Sequence, residues 1–249
     1  MSVPVRLFLL LAALLLATPA RARADSDALW RIVHGQCVPD QLQHADPAPC
    51  AQVALADGWA VLKDRRGVAQ FLLIPTARVT GIEDPAILAP GAPNYFAAAW
   101  AERGRTQARL PHPVPRDALA LAINSPSGRS QNQLHIHIDC LRADVRAALR
   151  AHVAVIGPDW APLPGGLLGH PYLARRLDGA EFGTANPFRL LAQWPGVGAA
   201  GLRPWTLVVA GAADGFILLA DRADPRAGDP AEGEEVQDHD CALAHAPAD

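Results

Sequence analysis

The residues with the clearest chemical potential lie between Asn124 and Cys140, in the run NSPSGRSQNQLHIHIDC. Read as a strand, the run places Gln133, His135, His137 and Asp139 on one face and Leu134, Ile136 and Ile138 on the other. Two imidazoles two residues apart on a strand face hold their Cβ atoms about 6–7 Å apart. That spacing suits a metal pair, or a histidine nucleophile with a second histidine bonded to the same phosphate. An imidazole is neutral and nucleophilic near neutral pH and leaves readily once phosphorylated. Just upstream, Ser127, Gly128, Arg129 and Ser130 offer backbone N–H groups, hydroxyls and a guanidinium, all of which bind anions. A metal would need a third ligand, for which Asp139 or His170 could serve. An H-x-H pair also occurs as an ordinary surface feature, but the apolar companions and the Gly/Ser/Arg turn favour a site.

Several elements must hold this run in place. WAVLK at 59–63 and AQFLLI at 69–74 read as strands joined by a turn at Asp64–Gly67, the second ending at Pro75. Residues 76–93 read as loop, and Asn94 caps a helix to about Arg103, with Phe96 and Trp100 on one face. Pro111, Pro113 and Pro115 make a stiff connector to an apolar strand at 118–124, and 131–139 is the alternating strand. A helix runs from Asp144 to about Val155, and the Pro- and Gly-rich 157–204 is expected to form extended loops and short helices. Trp205–Ala210 and Phe216–Ala220 close as a hairpin around Ala213–Gly215. The tail from 221 to 240 is acidic and polar. Hairpin-joined strands with interspersed helices predict an α+β fold with an antiparallel sheet, in a single domain spanning 25–249.

The 249 residues carry a formal charge of −3, which argues against a nucleic-acid partner. Of the 22 basic residues only Lys63 is lysine, on a strand end where a point-charge ammonium could meet phosphate. Arg6 precedes an uninterrupted apolar run from Leu7 to Ala17, followed by Ala20–Ala24 at A-x-A spacing. This pattern predicts an export signal or signal anchor over 1–24. All four cysteines (Cys37, Cys50, Cys140, Cys241) lie beyond it, an even number suited to an oxidising compartment. Three connectivities are open. The favoured one closes Cys37–Cys50 over a Pro- and Asp-punctuated stretch expected to hold neither helix nor strand, and pairs Cys140 with Cys241 at long range.

At Gly128, Ser130, Gln133, His135 and His137 the chain resembles the histidine triad (HIT-like) superfamily of nucleotide hydrolases and transferases, with Gln133 in the first triad position. In that register His135 is the nucleophile and His137 the third member. A register shifted by two would make His137 the nucleophile and Asp139 the third member. Within that superfamily the chain resembles the CDP-diacylglycerol pyrophosphatase family at Gln36–Pro39, Pro47–Cys50, Ala60–Asp64, Ala122–Cys140, Leu163–Arg176 and Gln237–Cys241. The resemblance implies hydrolysis of CDP-diacylglycerol to CMP and phosphatidate through a nucleotidyl-imidazole. It gives Gln133, His135 and His137 catalytic roles, assigns Ser130, Asn124, Arg129 and Lys63 to the phosphates, and requires no cofactor. Arg175 and Arg176 become candidates for phosphates or lipid headgroups. The expected partners are the lipid-nucleotide and a membrane surface, with no nucleic acid and no protein partner evident. The expected location is the cell envelope, either on the inner membrane through the leader or periplasmic after cleavage. Gln133 also permits an alternative, a non-catalytic envelope protein binding nucleotides or lipid headgroups.

Overall fold

The computed structural model describes residues 25–245. The leader expected over 1–24 lies outside the described residues. Ten strands form one sheet: β1 (Gln52–Ala54), β2 (Trp59–Lys63), β3 (Phe71–Pro75), β4 (Leu119–Ile123), β5 (Ile136–Leu141), β6 (Ala161–Pro162), β7 (Leu173–Asp178), β8 (Trp205–Gly211), β9 (Gly215–Arg222) and β10 (Gln237–Asp238). Their order is β1-β2-β3-β5-β4-β8-β9-β7-β6, with β10 on β5, and every pairing is antiparallel. Six short α-helices complete the fold: α1 (Ala28–Ile32), α2 (Val38–His44), α3 (Tyr95–Ala101), α4 (Gly104–Gln107), α5 (Ala143–His152) and α6 (Pro187–Ala192). Among the described residues no helix is long and apolar enough to cross a membrane.

Strand β5 is the hub. Ile138 pairs with Phe71 of β3 and with Leu121 of β4, and past the end of β3 Cys140 pairs with Asp238 of β10. Its two faces have opposite characters. Leu134, Ile136 and Ile138 join the largest core, together with Phe96 and Trp100 of α3 and Phe188 and Leu191 of α6. The opposite sheet face carries two separate apolar clusters. One packs Ala120, Ala122, Val208 and Leu219 against Val145 and Leu149 of α5. The other packs Ala60, Leu62, Leu72 and Ile74 against Val33 and the Cys37–Cys50 bridge. Between them runs the polar face of β5, where Ala122 lies opposite His137 and Ala120 opposite Asp139. Directly opposed residues in a ladder point to one side of the sheet, so two small side chains flank the polar strip on the β4 side.

Local chemistry explains the elements and three departures from expectation. Asn94 caps α3 by accepting from the Ala97 N–H. The stretch between Cys37 and Cys50, expected to lack regular structure, holds α2 instead. This helix continues a helical run that begins at Ala28, with a π-helical turn over Val33–Cys37 immediately before Pro39, the residue that has no N–H to donate. The region 157–204 contains a six-residue strand, β7, hydrogen-bonded along its length to β9. The regular ladder of β5 begins only at Ile136, later than 131, although the alternation of buried and polar-face side chains holds from Gln133 on.

The structure joins Cys37 to Cys50 and Cys140 to Cys241. The second bridge spans 101 residues and ties the chain end to β5. Closing a loop of that length removes about 4–5 kcal/mol of denatured-state freedom. A Cys140→Ala/Cys241→Ala variant should therefore lose roughly 4 kcal/mol in urea unfolding at neutral pH; a loss under about 1 kcal/mol would contradict this weight.

Candidate active site

The turn between β4 and β5 is built on the C-terminal segment. Ser125 donates its N–H to Ala231 O and its hydroxyl to Pro230 O, at 3.1 and 2.6 Å. The same hydroxyl oxygen accepts from the N–H groups of Ser127 and Gly128. A Cβ on Gly128 would lie 3.1 Å from Glu232, so glycine is what lets the turn approach this closely.

Past the turn, His135 donates Nδ1–H to the carbonyl of Gln133 at 2.7 Å. This bond selects the tautomer with a lone pair on Nε2. Burial lowers the pKa of His135, with the Gln133 bond opposing it, so the ring is neutral at pH 7. The His137 ring lies 4.9 Å away, edge to face. Gln70 Nε2 donates to His137 Nδ1 at 2.8 Å and to Glu234 Oε1 at 3.1 Å. An accepting Nδ1 leaves the proton of neutral His137 on Nε2, and that atom is buried without a partner. Burial holds its pKa down at about 4.

Below the histidines lies a chain of charges. Asp139, fully buried, accepts from His239 Nδ1–H at 2.8 Å, and the other nitrogen of His239 stands 3.2 Å from Glu234 Oε1. Hydrogen bonds to Asp139 and then Glu234 raise the pKa of His239 to about 10. Burial pushes Asp139 up, with His239 opposing. Glu234 also suffers from burial, but the hydrogen bond from His239 and other favourable contacts hold it below the usual carboxylate range. Asn124, at the end of β4, clasps Glu234: its amide donates to Oε2 and its oxygen accepts the Glu234 N–H.

The residues singled out in the sequence divide accordingly. His135, His137 and Asp139 share the polar face of β5, and Asn124 reaches it through Glu234. Gln133 is buried with its amide donating to Pro75 O and Ala77 O, which ties it to the loop after β3. Ser130 is exposed on the turn. Arg129 forms two 2.6 Å bonds with Glu83, a pair that is mostly buried. Lys63 donates to the carbonyls of Asp64, Arg66 and Gly67 and braces the β2–β3 turn. Arg176 of β7 pairs with Asp214. The H-x-H pair belongs to no three-ligand cluster among the described residues, and Cys140 and Cys241 beside Asp139 are spent in a disulfide. Gln70, Glu234 and His239 were not singled out. His239 sits in the Gln237–Cys241 motif, whereas Glu234 reads as one more acid of a polar tail.

A family model described as CDP-diacylglycerol pyrophosphatase matches residues 24–245, which takes in all of the described residues. The chain belongs to the CDP-diacylglycerol pyrophosphatase family. A Yersinia pestis protein named CDP-diacylglycerol pyrophosphatase is 46% identical over 226 residues, covering 90% of this chain and 88% of its own length. The family is one of hydrolases acting on phosphorus anhydrides. The motif regions of Ala122–Cys140 and Gln237–Cys241 meet across the β5–β10 ladder, so two segments a hundred residues apart build one polar strip.

The raised pKa of His239 has a signed consequence. A group titrating near 6.5 when unfolded and near 10 when folded stabilises fully below pH 6.5, and this contribution is lost between pH 6.5 and 10. Unfolding free energy should fall across that window in the parent protein, and a His239→Gln variant should show a flatter profile there. Parallel profiles for the two proteins would show that His239 does not titrate as argued.

Proposed function

We propose that this chain hydrolyses CDP-diacylglycerol to CMP and phosphatidate, with His135 as the nucleophile. The observation that carries the reading is the 2.7 Å bond from His135 Nδ1 to the Gln133 carbonyl, which leaves a lone pair and no proton on Nε2. The Nε2 lone pair attacks the cytidine-side phosphorus. The bond to the bridging oxygen breaks, phosphatidate departs, and cytidylyl stays on the imidazole. Water then attacks that phosphorus, the P–N bond breaks and CMP leaves. The Gln133 carbonyl accepts from Nδ1–H throughout and so stabilises the positive charge that the ring gains when Nε2 bonds to phosphorus.

His137 Nε2–H is the natural donor to a non-bridging or departing oxygen, where charge builds up. Its burial keeps the ring neutral, so it offers a proton without repelling His135 as a second cation would. Gln133, in the first triad position, acts in this reading by holding its own carbonyl still: its side-chain amide is bonded to Pro75 and Ala77. Asn124 positions Glu234, and Glu234 with Gln70 orients His137. The exposed Ser130 hydroxyl would face the phosphates, while the N–H groups of Ser127, Gly128 and Arg129 are held by Ser125 and shape the turn. Arg129 and Lys63 would join them on releasing Glu83 and the turn carbonyls. No step calls on a metal.

The antiparallel sheet with its H-x-H strand supports placing the fold with the HIT-like superfamily. The export pattern supports an envelope location, and a lipid-nucleotide substrate supports work at a membrane surface. His135→Ala should lower CMP release from CDP-diacylglycerol by about 10³-fold or more, with unchanged circular dichroism. Turnover near the parent rate in a folded His135→Ala protein would overturn the assignment. An inert parent protein that binds CMP would favour the non-catalytic alternative.

A further inference from the structure

A second polar cluster lies where the entry to β7, the end of β9 and the loop before β10 converge. Asp221 of β9 is 1% exposed, and neither carboxylate oxygen has a hydrogen-bond partner. A buried carboxylate with both oxygens unmet is costly unless something else compensates it. Its neighbours are Asp229, which is buried, and His170. One ligand atom from each of His170, Asp221 and Asp229 lies within 4.8 Å of the other two. His170 Nδ1 is 3.8 Å from Asp229 Oδ1 and 2.9 Å from Glu235 Oε1, and Glu235 also accepts from the Tyr172 hydroxyl at 2.8 Å. Three carboxylates thus converge on one imidazole, and among the described residues no Lys or Arg forms an ion pair with any of them.

We propose that His170, Asp221 and Asp229 bind a divalent cation of the zinc class, with Glu235 at its edge held by Tyr172. The donor set decides the class. An imidazole nitrogen with carboxylate oxygens suits zinc and its first-row neighbours, whereas calcium and magnesium favour oxygen-only ligands. The ion would neutralise the carboxylates and give Asp221 the partner it lacks. It also cross-links β9, the entry to β7 and the 229–235 segment. Glu235 is adjacent to Glu234, so the bound ion would steady the segment that supplies Glu234 to His137. Its role is to hold structure, separate from the metal-free chemistry at His135.

The test uses full-length chain stripped with chelator, dialysed against zinc chloride, and read by elemental analysis and thermal unfolding. The expected result is about one zinc per chain and a higher Tm with zinc than without. Asp221→Asn should weaken zinc binding at least tenfold and abolish the shift in Tm. His170→Ala, at a half-buried position, should do the same if the first variant folds poorly. No stoichiometric zinc, or zinc binding unchanged in both variants, would overturn the proposal. So would an Asp221→Asn protein more stable than the metal-free parent with no zinc bound by the parent, which would identify a carboxyl–carboxylate pair sharing a proton.

Discussion

A buried strand that carries ionisable side chains must find a partner for each of them, and that requirement organises this molecule. His135, His137 and Asp139 project from the middle of the sheet with almost no access to water. Left unpaired, each would cost several kcal/mol. Each is paired in a way that sets its protonation. A carbonyl takes the Nδ1 proton of His135, an amide supplies the Nδ1 of His137, and Asp139 keeps His239 charged. The result is a strip whose upper end is neutral and whose lower end is ionic. Ala120 and Ala122 on β4 lie beside it, and the two apolar clusters form its banks.

The charged partners of the strip come from the last part of the chain. Pairing of β10 with β5, the Cys140–Cys241 bridge and the contact of Gly128 with Glu232 bring the segment 229–241 against the polar face. The tail delivers Glu234 and His239, and its acids extend toward His170 on the far side. Removing the tail would expose the strip and leave Asp139 and His137 without their charged neighbours. The long-range disulfide is therefore a constraint on the site as well as on the fold.

The local parts were legible in the sequence because local rules govern them. Alternation from Gln133 to Asp139, the Asn94 cap and the 205–220 hairpin each follow from neighbouring residues. Helix α2 was not foreseen because it continues a helical run begun at Ala28, outside the cysteine loop, with a π-helical turn over Val33–Cys37 just before Pro39. Strand β7 was obscured by flanking Pro and Gly and by its two central arginines, and it owes its form to pairing with β9. Charge without partner was the other blind spot. Arg129 and Lys63 read as free cations for phosphate, yet the fold gives them Glu83 and three carbonyls. Glu234 had no signal at all, since only tertiary pairing separates it from its neighbours in an acidic run.

The proposed chemistry passes through a bond between phosphorus and His135. Each displacement at phosphorus inverts configuration, so two in succession restore it and a single attack by water does not. The direct measurement is the stereochemical course of hydrolysis of CDP-diacylglycerol made chiral at its cytidine-side phosphorus with sulfur and oxygen isotopes. The account predicts CMP with net retention of configuration. Net inversion would contradict it, because it would mean that water attacks the substrate directly and His135 forms no covalent intermediate.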